Sequence, residues 1–233
     1  MLNIEELLRQ NDYPGRGIIF GMTAQRTKAV AVYFIMGRSE NSRNRVFIAQ
    51  GKGIRTAAYN EEKLENPELV IYSPVRVCGN LLIVTNGTQT DAIYDSIWNG
   101  EDYKQALETW AFEPDAPIYT PRISGVMDLA DGAYRLSIIK AGKTDDPGSI
   151  RQYFEYEKPA PGAGHFIHTY TGDANPPESF HGEPREITVA CGIEEMTDAV
   201  WENLNEQNKV SLFVRYTDLK TKEFETRIIN KNR

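Results

Sequence analysis

The longest apolar run in this chain covers eight residues, 29–36, and is rich in β-branched and aromatic side chains. It is too short to cross a bilayer as a helix, and its composition is typical of a buried strand. Other strand-like runs are also rich in β-branched and aromatic residues and are separated by turn residues. They lie at residues 18–22, 46–50, 69–77, 81–85, 123–128, 134–140, 210–217 and 224–230. The chain is therefore predicted to form sheets whose strands are mostly joined as hairpins.

Helical patterns occur between these blocks of strands. Four helices are predicted, at residues 3–10, 88–99, 102–111 and 197–207. Asn3 and Asp102 are typical N-cap residues, and Thr88 with Asp91 matches the spacing of a capping box. Because the helices occur singly or in pairs between hairpin-joined strands, the pattern favours an α+β protein with helix-covered sheets over a parallel βαβ sheet.

Charge and composition limit the partners of the chain. Its 233 residues carry a formal charge of −7, which argues against nucleic acid and means that a phosphate-bearing ligand needs a local basic cluster. The N-terminus carries acids before any apolar stretch, and no apolar run is long enough for a span, so a cytoplasmic protein without membrane contact is expected. Cys78 and Cys191 lie far apart in no metal or redox spacing, as structural thiols do in a reducing compartment.

The strand pattern weakens between residues 144 and 186, where six of the twelve prolines and all three histidines lie. This segment is predicted to be a loop-rich excursion of a single domain, residues 1–233, and such excursions often form lids or binding loops. His165 and His168 are three residues apart, so on a strand they point to opposite faces and do not converge on one ion. Neither a metal site nor a cofactor is predicted.

Three polar stretches could carry chemistry. In the first, residues 84–91, a strand runs into a helix N-terminus with polar side chains gathered at the junction. Helix capping alone would explain Thr88 and Asp91. Free main-chain N–H groups beside polar side chains also suit an oxyanion or a polar heterocycle. The residues alone leave both interpretations open.

The second stretch, residues 37–47, concentrates arginine, serine and asparagine directly after the longest apolar run. Arg38 and Arg45 could bind phosphate oxygens through bidentate hydrogen bonds. The alternative is a solvated hairpin loop whose charges face water. No aromatic residues alternate with the arginines, which again argues against nucleic acid.

The third stretch, residues 112–123, places Glu113 before a proline and Arg122 at the start of the next predicted strand. A carboxylate on a rigid loop loses little entropy when it is positioned, as a catalytic group requires. The alternative is a surface ion pair between Glu113 and Arg122, which would contribute well under about 1 kcal/mol.

Four motifs occur in order between about residues 13 and 140. They are PGRG at 14–17, GRS…NR at 37–45, VTNGTQTD at 84–91 and TWAFE…YTPRI at 109–123. In order and approximate spacing they resemble the archaeal-type IMP cyclohydrolase family. The resemblance implies a four-layer α-β-β-α sandwich of mainly antiparallel sheets, similar to the N-terminal-nucleophile hydrolases. Residues after 144 look like an addition found in bacterial-type relatives, and the resemblance gives this addition no function.

The same resemblance implies an activity, the ring closure of 5-formamidoimidazole-4-carboxamide ribotide (FAICAR) to IMP with loss of water, in the last step of de novo purine biosynthesis. Orientation of two groups within one molecule can supply much of the rate without metal or cofactor. Two other classes stay open. One is a non-catalytic purine-nucleotide-binding protein, and the other is an amide hydrolase of the nucleophile type. Leu2 disfavours the hydrolase, which needs serine, threonine or cysteine at its mature N-terminus.

Residue roles follow from this resemblance and from the reaction. Tyr72 is the predicted donor to the formyl oxygen, assisted by Arg16 or Arg122. Glu113 is predicted to orient or deprotonate the carboxamide. The remaining predicted contacts are Arg38, Ser39, Asn44 and Arg45 to the 5′-phosphate, and Asn86, Gln89, Thr90 and Asp91 to the base or ribose. The partner is a small nucleotide, and the sequence leaves open whether the chain forms a homo-oligomer.

Overall fold

Thirteen strands make up two antiparallel sheets in the computed structural model, which describes residues 1–64, 67–144 and 147–232. The strands are β1 Arg16–Met22, β2 Lys28–Met36, β3 Arg45–Gln50, β4 Gly53–Ala58, β5 Val75–Cys78, β6 Leu81–Thr85, β7 Arg122–Asp128, β8 Tyr134–Ala141, β9 Ser149–Tyr156, β10 Ala163–His168, β11 Arg185–Thr188, β12 Lys209–Asp218 and β13 Phe224–Asn230. One sheet has the order β11-β10-β1-β2-β12-β13, and the other runs consecutively from β3 to β9. The predicted hairpin pattern is confirmed within the second sheet.

Helices cover the outer face of each sheet. They are α1 Ile4–Arg9, α2 Glu40–Arg43, α3 Pro67–Val70, α4 Gln89–Trp98, α5 Tyr103–Leu107 and α6 Ile193–Trp201, with a 3₁₀ turn at Glu61–Lys63. Leu8 of α1 and Met196 of α6 share an apolar core with the six-stranded sheet. Ile93 of α4 and Leu107 of α5 pack on the seven-stranded sheet. A third apolar core fills the space between the sheets. The predicted four-layer α-β-β-α sandwich is thus confirmed, while its likeness to nucleophile hydrolases stays a prediction.

The uninterrupted apolar run of β2 follows from its place in the sandwich. Successive side chains of a strand point to opposite faces of the sheet. Val32 and Phe34 pack in the core under the helices, whereas Tyr33 and Ile35 lie in the core between the sheets. Because both faces of β2 are covered, no position along it favours a charged side chain.

Several element predictions were wrong. Residues 69–74 were expected to be strand, but α3 ends at Val70 and β5 begins only at Val75. The excursion at 144–186 contains two full strands, β9 and β10, and β10 pairs with β1 inside a sheet. The stretch 37–47 is not a hairpin loop, because the chain leaves one sheet after β2, forms α2 and enters the other sheet at β3. Across the described residues, none of the helices has the length and apolar character needed to span a membrane.

Candidate active site

Polar side chains gather at one end of the sandwich, where β1, β3 and β7 begin, β6 ends and the chain leaves β10. We refer to these residues as the polar cluster. Its members are Tyr13, Arg16, Tyr33, Arg38, Arg45, Tyr72, Glu113, Asp115, Thr120, Arg122 and Tyr170. Both sheets contribute, so the cluster exists only when the whole sandwich is folded. All four residues predicted as catalytic, Tyr72, Glu113, Arg16 and Arg122, belong to it.

Two tyrosine hydroxyls meet inside the polar cluster. Tyr33 on β2 is fully buried, and its hydroxyl oxygen lies 2.8 Å from that of Tyr72, a residue only 6% exposed. Tyr72 precedes β5 in an irregular segment that Thr56 of β4 fixes from both sides. The main-chain N–H of Tyr72 donates to the Thr56 hydroxyl at 2.8 Å, and the Thr56 N–H donates to the Tyr72 carbonyl at 2.8 Å. The Tyr72 side chain is therefore held on a rigid backbone.

Arg16 and Arg45, two of the cluster's arginines, have no bonded carboxylate among the described residues. Arg45 is fully buried; its Nε donates to the Ser42 carbonyl at 2.9 Å, while Nη1 has no hydrogen-bond partner among the described residues. Burial, and next the charge of Arg16, lower the pKa of Arg45. Burial alone would lower the pKa of Arg16 too, but the phenols of Tyr13, Tyr170 and Tyr72 together with Glu113 raise it. The buried charge of Arg45 and the part-buried charge of Arg16 favour an anionic ligand.

Glu113 and Arg122 form a buried pair rather than the surface pair considered from sequence. Their side chains are about one-tenth exposed, and Glu113 Oε1 lies 3.5 Å from Arg122 Nη1. Burial raises the pKa of Glu113, although Arg16 and Arg122 oppose that rise. The Arg122 guanidinium is also fixed by its Nε, which donates to the Ala111 carbonyl at 2.9 Å. Glu113 is thus a buried carboxylate with an elevated pKa, which suits a proton acceptor.

The polar stretch at the end of β6 holds Arg122 of the Glu113–Arg122 pair in position through hydrogen bonds. Gln89 Oε1 accepts from Arg122 Nη1 at 3.0 Å, and Gln89 Nε2 donates to Asn86 Oδ1 at 3.0 Å. Asn86 also accepts from the Ile123 N–H at 2.8 Å and donates to the Pro121 carbonyl at 2.8 Å. These buried amides tie the end of β6 to the start of β7. Their hydrogen bonds are therefore internal, and they hold Arg122 in place.

The capping interpretation of this stretch was wrong. Thr88 is the N-cap of α4 but makes no side-chain capping bond. Asp91 instead lies on the exposed side of α4, where its Oδ1 is 2.6 Å from Arg76 Nη1. Thr90 is buried and donates to the Gly87 carbonyl at 2.8 Å. The structure therefore brings Thr90 into the protein interior and leaves Asp91 on the outer surface, away from the Glu113 pair.

Gly87 lies against Gln89 and Arg122 so closely that a side chain at this position would have no space. A Cβ at Gly87 would lie 2.6 Å from Gln89 Oε1 and 2.7 Å from Arg122 Nη1. Both atoms are buried hydrogen-bonding partners, so neither can move away without losing its bond. We expect Gly87→Ala to destabilise the fold by about 1–3 kcal/mol and to displace Arg122 from Glu113. Urea unfolding measures this loss.

Gly148→Ala is the matched control, because a Cβ at Gly148 meets no atom within 4 Å. It should unfold at nearly the same urea concentration as the parent chain. Equal stability of Gly87→Ala and Gly148→Ala would contradict the tight packing of Gln89 against Arg122.

The segment after β10 forms one wall of the polar cluster. Arg38 Nη1 donates to the carbonyls of Asp173 at 2.8 Å and Ala174 at 2.9 Å, and its guanidinium lies 4.7 Å from the centre of the Tyr13 ring. Tyr13 stacks on Tyr170 with ring centres 5.7 Å apart. This part of the predicted excursion thus fixes the orientation of Arg38, a contact that no sequence pattern indicated.

Two residues predicted to bind phosphate have other partners. Ser39 is exposed, and its hydroxyl accepts from the Ser42 N–H at 3.1 Å as the N-cap of α2. Asn44 is buried, and its side chain bonds the main chain of Asn60 in both directions at 2.7 Å. Of the four predicted phosphate contacts, the structure places Arg38 and Arg45 in the polar cluster, while Ser39 and Asn44 shape the segment between them.

Sequence reasoning missed three aromatic members of the cluster. Tyr13 directly precedes the PGRG motif, Tyr33 supplies the hydroxyl in the apolar run of β2, and Tyr170 follows β10. A lone hydroxyl within an eight-residue apolar run is the signal that could have identified Tyr33, because a buried hydroxyl needs a partner. Tyr13 and Tyr170 had no comparable signal.

The opposite end of the sandwich holds a groove of about 520 Å³, lined among others by Asp102, Arg135 and Glu155. Two of its carboxylates lie in exposed ion pairs, Asp102 with Arg135 at 3.4 Å and Glu155 with Lys104. Among the described residues, no group of three or more His, Cys, Asp or Glu side chains could hold a metal ion. The polar cluster, with the buried guanidinium of Arg45 and the raised pKa of Glu113, is the better candidate for chemistry.

Fold and site together define a four-layer α+β protein with a cluster of arginines, tyrosines and a buried carboxylate at one end of the sandwich. The model of the family described as "IMP cyclohydrolase-like protein" matches residues 13–223, and the chain belongs to that family. A relative named IMP cyclohydrolase from Methanopyrus kandleri is 29% identical over 68% of this chain and 75% of the relative. Another of the same name, from Methanosphaera stadtmanae, is 26% identical over 81% of this chain and 85% of the relative. A third relative named IMP cyclohydrolase, from Halobacterium salinarum, is 29% identical to this chain. The match covers 78% of this chain and 91% of that relative. The resemblance inferred from the four motifs is confirmed.

Proposed function

We propose that this protein is an IMP cyclohydrolase that converts FAICAR to IMP. The observation that carries the proposal is the convergence of a buried carboxylate, Glu113, a buried phenol, Tyr72, and the guanidinium of Arg16 in one cluster. Membership in the IMP cyclohydrolase-like family supports it independently. The substrate is a small nucleotide, and the acidic chain, with a formal charge of −7, is poorly suited to nucleic acid.

The reaction requires one proton acceptor and one donor. The carboxamide nitrogen attacks the formyl carbon, a C–N bond forms, and the formyl oxygen becomes a hydroxyl. The C–O bond then breaks and water leaves. The oxygen of that water comes from the formyl group, and its two hydrogens come from the carboxamide and formamido nitrogens. Because both reacting groups belong to one molecule, holding them in the right orientation supplies a large part of the rate.

Glu113 accepts the carboxamide proton in this proposal. Its raised pKa makes it a better base than an ordinary glutamate, and its pairing with Arg122 keeps the carboxylate in one orientation. Gln89 acts through Arg122 and does not need to touch the substrate. The contacts predicted for Asn86, Gln89 and Thr90 to the base or ribose are therefore replaced by a supporting role.

Tyr72 donates to the formyl oxygen as negative charge develops there. Arg16 lies beside it with a guanidinium that makes no hydrogen bond to the described residues, so its donors are available to the same oxygen or to the phosphate. Donors already aimed at a developing charge need no reorganisation during the reaction. Arg16 and Tyr72 would thus stabilise the tetrahedral adduct more strongly than the planar formyl group.

The charge of the polar cluster suits a phosphate monoester. Its charged groups are Arg16, Arg38, Arg45, Arg122, Glu113 and Asp115. Four positive against two negative groups leave a surplus of two positive charges, close to the roughly two negative charges of a phosphate monoester at neutral pH. Arg38 is half-buried and can bind the phosphate directly. Arg45 is fully buried, so it would stabilise the phosphate through its positive charge without direct contact. Ser39 lies beside Arg38 and can add a hydroxyl contact.

Purified protein mixed with FAICAR tests the function directly. Loss of FAICAR absorbance and formation of IMP by chromatography should exceed a protein-free control, without folate or added nucleotide. We expect the same rate in EDTA, because a carboxylate, a phenol and guanidinium groups suffice for the proton transfers and charge stabilisation. Tight IMP binding without turnover would instead identify a non-catalytic nucleotide-binding protein, and turnover only with added divalent metal would contradict the proposed residues.

A further inference from the structure

Within the part of the chain that the structure describes, the Tyr33 hydroxyl has one hydrogen-bonding partner. Its hydroxyl lies in the core between the two sheets, 2.8 Å from the Tyr72 hydroxyl. The charged groups acting on it are Arg16 from β1 and Arg45 from β3. A guanidinium has donors but no acceptor. Among the described residues, Tyr72 is therefore the one recipient for the Tyr33 proton.

This environment fixes the direction of the hydrogen bond. If Tyr72 donated to Tyr33, the proton of the fully buried Tyr33 hydroxyl would have no acceptor, which costs about 1–3 kcal/mol. If Tyr33 donates to Tyr72, its own proton is satisfied and the Tyr72 proton is free to point into the cluster. The second arrangement is thus the more stable one.

We propose that Tyr33 is a positioning residue that keeps the hydroxyl proton of Tyr72 directed at the substrate and stabilises negative charge on the Tyr72 oxygen as that proton is shared. The inference rests on the proposed function, since it assigns Tyr33 to the donor of that reaction. Tyr33 touches neither substrate nor reacting atoms; it acts through Tyr72 alone.

The surroundings of the pair support this role. Burial, and next the neighbouring Tyr72, raise the pKa of Tyr33 well above its ordinary value, so Tyr33 keeps its proton and stays a donor. Arg45 Nη1 lies buried without a partner among the described residues, so its charge is not neutralised by a bonded carboxylate. That charge favours electron density moving onto the phenol oxygens as Tyr72 donates.

A double-mutant cycle tests the inference. Tyr33→Phe, Tyr72→Phe and the double variant are compared with the parent chain for kcat, KM and melting temperature. Tyr33→Phe should lower kcat about tenfold with KM nearly unchanged, because the lost bond strengthens in the transition state. In the Tyr72→Phe background the same change should alter kcat less than about twofold, because Tyr33 then has nothing to position.

Tyr216→Phe is the matched control. Tyr216 is also a buried strand tyrosine of the six-stranded sheet, but its hydroxyl donates to the Ala190 carbonyl at 2.7 Å in the core under the helices. It should lower the melting temperature and spare kcat. If Tyr72→Phe has no measurable turnover, the separation of kcat from KM in Tyr33→Phe against this control decides the question.

The possible outcomes distinguish failure of the proposed function from failure of the positioning role of Tyr33. A parent chain that does not turn over FAICAR overturns the proposed function itself. An active parent chain with Tyr33→Phe behaving like Tyr216→Phe overturns the positioning role. An equal loss of kcat from Tyr33→Phe with and without Tyr72 also overturns it, because Tyr33 would then act independently of Tyr72.

Discussion

Tyr72→Phe is expected to lower kcat by about 10²- to 10⁴-fold, the usual contribution of a positioned proton-transfer group. The substitution keeps the ring and removes the hydroxyl, so ground-state binding should hold KM nearly constant while kcat and kcat/KM fall together. It also leaves the buried Tyr33 hydroxyl without its partner, which should cost about 1–3 kcal/mol of stability. Kinetics and thermal unfolding on one preparation, with rates expressed per folded molecule, separate the two effects.

Tyr134→Phe is the control for the stability part of this result. The Tyr134 hydroxyl lies 2.6 Å from His165 Nδ1 at the opposite end of the sandwich. Removal of this hydroxyl likewise leaves a polar partner without its hydrogen bond. Tyr134→Phe should reduce the melting temperature and leave kcat at the parent value. A folded Tyr72→Phe protein with normal kcat would exclude Tyr72 as the donor and direct attention to Arg16.

The architecture could be predicted from sequence where burial is uniform along an element. The apolar run of β2 identified a strand because both of its faces are covered. β9 failed the same test, since it is the edge strand of its sheet and its side chains are largely half-exposed or exposed. β10 failed because Gly164 and His165 interrupt its apolar pattern; Gly164 is needed where the chain passes close to Phe20 of β1. A hydrophobic pattern identifies a strand where apolar residues are continuous or alternate regularly, and the sequences of β9 and β10 show neither pattern.

The candidate site could be predicted in part for a related reason. Glu113 and Arg122 lie near each other in sequence on one Pro-containing segment, so local chemistry indicated both. Tyr33 and Tyr170 come from distant segments, and only the pairing of β1 with β2 and β10 brings them together. The residue types of the stretch after β6 indicated a concentration of polar groups, and the structure shows that several of these groups bond one another. Whether Gln89 points toward a ligand or toward Arg122 depends on the tertiary fold, and the structure shows the second.

Glu113→Gln is expected to lower kcat by about 10²- to 10⁴-fold, because the amide has nearly the same shape but cannot accept a proton at neutral pH. Catalysis needs the deprotonated carboxylate, so in the parent chain kcat/KM should fall as the pH drops through the pKa of Glu113. Burial raises that pKa, so the fall should begin at a higher pH than for an ordinary glutamate. The Gln variant should lose the limb that is due to Glu113 and keep a low rate at every pH.

The substrate complicates the acidic limb, because a phosphate monoester also takes up a proton near pH 6 and could weaken binding there. That titration belongs to FAICAR and would persist in Glu113→Gln, whereas a limb due to Glu113 disappears with the carboxylate. Glu194→Gln is the matched control, since Glu194 is an exposed partner of Arg227 on the outer helix layer. It should keep the parent profile. An acidic limb of unchanged position in Glu113→Gln would remove Glu113 as the base and assign the titration to the substrate phosphate.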